Sequence, residues 1–241
     1  MVFWEQSSGG QITAEQIAYV DNFCVTVAPP GCTTCGGTVV INDDFSGDLS
    51  AYTFGDCFPS GDQPNYFTIS GGKLIYDTSL SGGSSGAASL WQAISRPSIS
   101  GLCISIEVDL IRSDQGPTGI FIEGVGSFFA RHPSVGAGQR SYGKNLCTSD
   151  GCGMAGDTWL LVLDDHVHTE PERLRMVVRE VPGGTGIFDL VFCVNDEVIY
   201  NQNSVSLTIP ASINVGVTYT VSHALGSGER PEWDNLLVVT S

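Results

Sequence analysis

Cys103-Ile-Ser-Ile-Glu-Val-Asp-Leu-Ile111 places apolar and polar residues on alternate positions. Ile104, Ile106, Val108 and Leu110 fall on one side, Ser105, Glu107 and Asp109 on the other. A period of two is that of a β-strand with one face on a core. Similar short runs recur on both sides of it, at 38–41, 66–69, 73–76, 88–94, 118–123, 128–131, 159–163, 174–181, 186–194, 197–200, 205–209, 216–222 and 236–239. Glycine, Asn or Asp separates many of them, as Ser70-Gly-Gly72 and Asn195-Asp196 do for two hairpins. Some twelve strands and no long helix after residue 25 predict an all-β, two-sheet antiparallel sandwich over 38–241. The long stretch 133–157 has few apolar residues and reads as a loop.

Residues 1–37 read differently, as an N-terminal docking arm. Thr13-Ala-Glu-Gln16 has the form of a capping box, with Ile12 and Ile17 as a staple, and predicts one short helix over 14–22. Phe3, Trp4 and Ile12 are apolar side chains with little nearby to bury against, the pattern of a docking surface or of a strand folded back on the domain.

The chain has 26 acidic and 10 basic residues, a net charge of −16. That balance repels phosphate backbones and excludes nucleic acid as the expected partner. Arg173, Arg175 and Arg179 share one strand face by parity and read as a salt-bridged outer surface beside Glu170, Glu172 and Glu180. No run approaches the 18 apolar residues of a membrane span. The first ten residues lack the basic and apolar segments of a secretion signal. This leaves two expectations, a cleaved signal or a chain that reaches its destination by another route.

Eight cysteines allow 105 disulfide connectivities. Cys32, Cys35, Cys147 and Cys152 lie in Gly- and Thr-rich loops and are the disulfide candidates, with a zinc site from the same four as the alternative. Cys103 and Cys193 sit inside strand-like runs and read as small buried hydrophobes.

Asp43-Asp-Phe-Ser-Gly47, Ile69-Ser-Gly-Gly-Lys-Leu74, Ile104-Ser-Ile-Glu-Val-Asp109, Phe188-Asp-Leu-Val-Phe-Cys-Val-Asn195 and Trp233-Asp-Asn-Leu-Leu-Val238 occur in an order that resembles the concanavalin A-like lectin and glucanase jelly-roll superfamily, which includes laminin-G-like modules. The resemblance covers about 40–241. It implies a jelly roll and either glycan binding, glycan hydrolysis or a structural role on a cell or virus surface. A glycoside hydrolase of this type would use Glu107 and Asp109, about 7 Å apart by strand rise, but the third carboxylate such a site needs is missing. A lectin-like domain would stack sugars on Trp91, Tyr142, Trp159 or Trp233, any of which also suits a sandwich core. If the first and last strands pair, Asp43, Asp44 and Asp234 converge as ligands for a structural calcium; otherwise these aspartates bond their own turns. Asp164, Asp165, His166, His168 and Glu170 form a further polar cluster with the donors of a metal or general-base site, or of an exposed loop.

Taken together, these features lead to a non-catalytic virion structural protein of a tailed bacteriophage, on the capsid or the tail. Such a protein has a lectin-like domain on the virion surface and other virion proteins or its own copies as partners. The alternative is a secreted, extracellular carbohydrate-binding module.

Overall fold

The computed structural model describes residues 31–56, 67–77, 86–97, 101–112, 118–131, 141–145, 158–162, 171–183, 185–221 and 230–241. The expected helix and Phe3, Trp4 and Ile12 lie outside them, as do Cys147, Cys152 and the cluster from Asp164 to Glu170.

Fifteen strands are described: β1 (Thr38–Asp43), β2 (Thr53–Asp56), β3 (Phe67–Ile69), β4 (Leu74–Tyr76), β5 (Gly86–Ser95), β6 (Cys103–Arg112), β7 (Thr118–Ile122), β8 (Gly126–Arg131), β9 (Ser141–Asn145), β10 (Thr158–Val162), β11 (Glu172–Glu180), β12 (Ile187–Val194), β13 (Glu197–Ser206), β14 (Ser212–Val221) and β15 (Glu232–Thr240). Eight form one sheet, ordered β13-β12-β11-β6-β15-β4-β3 with β1 also on β15; seven form the other, ordered β10-β9-β8-β7-β14-β5-β2. Every pair is antiparallel. The result is a jelly-roll sandwich of two antiparallel sheets, and no helix occurs among the described residues.

The core follows from parity. Ile104, Ile106, Val108 and Leu110 on β6 are fully buried, as are Leu174, Met176 and Val178 beside them and Ile120, Ile122, Phe128, Val215 and Val217 from the other sheet. Each such side chain contributes about 1.5–3 kcal/mol of transfer free energy, which is what holds the two sheets face to face.

Three elements differ from the sequence reading. The segment 133–157 contains β9, whose only large apolar residue, Tyr142, is too little for an alternation signal. Strand β2 follows directly on a turn-rich stretch. The runs at 197–200 and 205–209 belong largely to one edge strand, β13, in which the polar Asn201, Gln202 and Asn203 hide the continuity.

The N-terminal part of the described chain crosses the outer face of the eight-stranded sheet. That face carries its own apolar stripe of Val177, Val191, Leu237 and Val239, packed with Cys32, Cys35, Cys103 and Cys193. Cys32 is bonded to Cys193 on β12 and Cys35 to Cys103 on β6, with Cα separations of 5.9 and 5.7 Å. The reading of Cys103 and Cys193 as lone buried hydrophobes is corrected here. Their strands face them outward, where the Cys32–Cys35 turn lies over them. Gly37, the last residue before β1, passes so close to β15 that a Cβ would come within 2.1 Å of the Thr240 carbonyl oxygen.

The stretch from Asp43 to Tyr52 is fixed by its own carboxylates. Asp43 Oδ1 accepts the Phe45 N–H at 2.7 Å, Asp44 Oδ1 that of Ser46 at 3.0 Å and Asp48 Oδ1 that of Ser50 at 2.8 Å. These are Asx turns. They hold Phe45 at φ 49°, unusual for a bulky side chain, with its ring fully buried. Tyr52 donates its phenol to Asp43 Oδ2 at 2.7 Å.

Two outcomes follow from these links. The double variant Cys32→Ser/Cys193→Ser should lose about 2–4 kcal/mol of stability in urea unfolding, because the bond closes a loop of 161 residues in the unfolded chain; a loss within error of zero contradicts the assignment. Burial first, and the Asp43 hydrogen bond second, push the Tyr52 phenol above its ordinary value of 10.0. The unfolded phenol titrates near that value and the folded one higher, so its stabilisation is intact below it and is lost as pH rises. Tyr52→Phe should therefore cost about 1 kcal/mol at neutral pH and flatten the fall in stability between about pH 9 and 11.

Candidate functional site

The two sheets present outer faces of opposite character. On the eight-stranded sheet, Arg173 Nε donates to Asp109 Oδ1 at 2.8 Å, and Arg175 Nε donates to Glu107 Oε2 at 2.6 Å. The same Arg175 reaches Asp196 at 2.6 Å and the Cys32 carbonyl at 2.5 Å, and Arg179 donates to the Thr33 carbonyl. The salt-bridged face read from parity is therefore present, but its partners come from β6, the β12–β13 turn and the Cys32–Cys35 turn. Of the neighbours named from sequence, Glu180 instead accepts the Gly101 N–H at 2.8 Å. Glu172 is fully buried on the inner side, where its Oε1 accepts the Tyr142 hydroxyl of the opposite sheet at 3.1 Å.

Glu107 and Asp109, the residues of the hydrolase reading, are thus both engaged by arginines. Asp109 Oδ2 also accepts the Asn235 amide at 2.9 Å.

The ends of the domain do pair: β1 runs antiparallel to β15, with Asp43 opposite Leu236. Asp43 and Asp44 are Asx acceptors, and Asp234 Oδ1 accepts the Asn235 N–H at 2.8 Å. Among the described residues no three His, Cys, Asp or Glu side chains gather as a metal set.

Two of the proposed sugar-stacking aromatics belong to the core instead. Tyr142 is fully buried and packs on Phe128 with ring centroids 6.2 Å apart, and Trp233 is fully buried against Phe67. Both sit on the inward parity of their strands, which a five-residue strand and a chain-end strand do not reveal by pattern alone.

Trp91 is different. On β5 the residues Ala88, Leu90 and Ile94 point inward, so Trp91 stands on the outer face of the seven-stranded sheet, partly exposed. The registers align this face in two rows. One runs Thr53, Trp91, Gly216, Phe121, Ser127, Asn145; the next runs Gly55, Ser89, Thr218, Gly119, Phe129, Gly143, Trp159. Neither row carries a charged residue. Phe121, Phe129, Ser89, Ser127 and Thr218 are buried, whereas Thr53 is exposed. Trp159 enters through backbone register alone; its side chain lies outside the described residues.

Glycines shape the open end of this face. A Cβ on Gly55 would lie 2.3 Å from Cζ3 and 2.7 Å from Cη2 of Trp91, so the indole lies across β2 because residue 55 has no side chain. Gly216 stands between Trp91 and Phe121, and across it the two rings meet edge to face at 6.5 Å and 76°. The result is a partly exposed indole fixed from two sides, with Thr53 opposite it in register. Trp91 was legible in the sequence as a candidate. Gly55 and Gly216 were not, since strand glycines are ordinarily read as bulges or weak points.

No protein-family model and no curated protein sequence matches the chain. Solved structures do match it in shape. The carbohydrate-binding CBM2 module of the evolved Dit protein of Lactobacillus casei BL23 phage J-1 aligns with a TM-score of 0.52 at 10% identity, over 86% of this chain and 96% of that one. The carbohydrate recognition domain of Emp46p, in its potassium-bound form, aligns with a TM-score of 0.51 at 14% identity, over 83% and 95%. A structure from work on endo-acting O-glycanases of the human gut microbiota aligns with a TM-score of 0.51 at 12% identity, over 85% and 100%. The chain has the concanavalin A-like jelly-roll fold.

Proposed function

We propose that this is a non-catalytic, lectin-like domain that binds neutral carbohydrate on the outer face of its seven-stranded sheet. The observation that carries the reading is the Trp91 indole, laid across Gly55 and partly exposed in two rows without a charged residue. The electron-rich face of an indole attracts the weakly positive C–H groups of a pyranose ring. Hydroxyl groups at its rim find a donor and acceptor in Thr53. The absence of charge in the rows and the net charge of −16 favour neutral over anionic glycans. The fold neighbours include a phage carbohydrate-binding module and a carbohydrate recognition domain, which is consistent with this use of the fold. The engagement of Glu107 and Asp109 by arginines, on the opposite sheet, supports a non-catalytic role.

A finer reading places the domain on the virion surface of a tailed bacteriophage, held by its N-terminal segment to other virion proteins or to copies of itself. The likeness to a phage J-1 Dit module favours it. So does the path of the chain: residues 31–37 lie against the outer face of the eight-stranded sheet, so an N-terminal attachment leaves the Trp91 face pointing away from the anchor. Disulfides fit a protein that works outside a reducing cytoplasm, which suits both a virion surface and secretion. Mass spectrometry of purified particles should find the protein, and deleting residues 1–30 should remove it from them; a truncated chain that still assembles contradicts this reading.

Binding is tested on a neutral-oligosaccharide array followed by calorimetry. Trp91→Ala should weaken binding at least about thirtyfold, the scale of a central aromatic contact, in a chain that circular dichroism shows still folded at the assay temperature. Gly55→Val, which displaces the indole, should weaken it too. Unchanged affinity in Trp91→Ala contradicts the site. The same titration with and without a chelator reads any calcium requirement directly.

A further inference from the structure

The Cys32-Thr-Thr-Cys35 turn combines two features that the binding reading does not use. Its cysteines have two residues between them, the spacing at which neighbouring thiols readily bond to each other in C-x-x-C motifs. Yet each is bonded across the sheet, Cys32 to Cys193 and Cys35 to Cys103, with sequence separations of 161 and 68. The cross-links are thus adjacent at the turn and apart on the sheet, since β11 lies between β12 and β6. Their accessibility also differs. Cys193 is fully buried and Cys32 and Cys35 nearly so, while Cys103, at the start of β6, is only partly buried. Cys103 is thus the most exposed residue of the four and the expected point of attack.

We propose that the turn is a redox latch that one dithiol opens completely. A thiolate of the dithiol attacks Sγ of Cys103, forming a mixed disulfide and releasing the Cys35 thiolate. Cys35 then attacks Sγ of Cys32, forming a Cys32–Cys35 bond and releasing the Cys193 thiolate. The second thiol of the reductant attacks the mixed disulfide, frees Cys103 and leaves as a cyclic disulfide. Two electrons and two protons pass from the dithiol to the protein, and two disulfides become one disulfide and two thiols. The internal step is favoured because the attacking sulfur is held three residues along the chain from its target, so it faces a far smaller entropic barrier than a second reductant molecule. Arg179, whose guanidinium is bonded to the Thr33 carbonyl between the two cysteines, adds a positive charge that favours the thiolate.

Opening would lift residues 32–35 from the stripe of Val177, Val191 and Val239, and would detach Arg175 and Arg179 from the turn's carbonyls. The latch therefore makes the seating of residues 32–35 on the sheet sensitive to reduction, whatever the domain binds.

The test uses the full chain with its disulfides intact, titrated with dithiothreitol from below one equivalent, quenched, alkylated and mapped by peptide mass. The latch predicts that Cys103 and Cys193 are alkylated together in equal amounts, that Cys32 and Cys35 remain bonded to each other, and that one dithiol is consumed per chain opened. Alkylation of Cys35 with Cys103 while Cys32–Cys193 survives would overturn it, as would alkylation of all four together. In the variant Cys35→Ser/Cys103→Ser, Cys193 should be released at least about tenfold more slowly than in the natural chain; release at the same rate overturns the proposal.

Discussion

A sheet that is apolar on both faces needs two covers. The eight-stranded sheet of this protein meets the first requirement in the ordinary way, by packing Ile104, Ile106, Val108 and Leu110 against the second sheet. On its other face the stripe of Val177, Val191, Leu237 and Val239 is covered, among the described residues, by a turn. A short turn buries too little area to stay in place by the hydrophobic effect alone. Two disulfides and the contacts of Arg175, Arg179 and Ser105 with its backbone compensate. Much of the outer-face chemistry of that sheet, including the engagement of Glu107 by Arg175, is organised around holding this cover down.

On the other sheet, Thr53 and Trp91 are the accessible positions among the row residues whose burial is described, the rest being buried. The two aligned rows on its outer face carry no charged residue. What it has are small residues among aromatics, and one indole that lies across β2 because Gly55 leaves room. Six of the ten basic residues are arginines or lysines engaged on the described chain by carboxylates or backbone carbonyls: Lys73, Arg96, Arg173, Arg175, Arg179 and Arg230. Few cations therefore remain for an anionic partner, in keeping with a neutral ligand.

The strands were legible because period-two alternation is a local signal, strongest at β6, where the next residue always contradicts the last. The outward parity of Arg173, Arg175 and Arg179 was legible for the same reason. Their partners were not, because Asp109, Glu107 and the Cys32–Cys35 turn come from distant parts of the chain. Glu172 shows the limit of composition: a glutamate beside arginines suggests a surface, but its position in phase with Leu174 and Met176 puts it in the core, bonded to Tyr142. Cys103 and Cys193 were misread because a cysteine within an apolar run looks like a small hydrophobe until something is laid over it. Trp91 could be nominated from its type; only the cross-strand register showed that it, rather than Tyr142 or Trp233, faces outward.

The central claim is that the two outer faces have separate tasks, one holding the chain's N-terminal turn and the other binding ligand. Hydrogen–deuterium exchange of the full chain, with and without a neutral oligosaccharide selected on the array, tests it most directly. Ligand should slow exchange around Thr53, Trp91 and Gly216 on β2, β5 and β14, and leave β6, β11 and β12 unchanged. Protection centred on Asp109, Arg173 and Arg175, with none at Trp91, would contradict it.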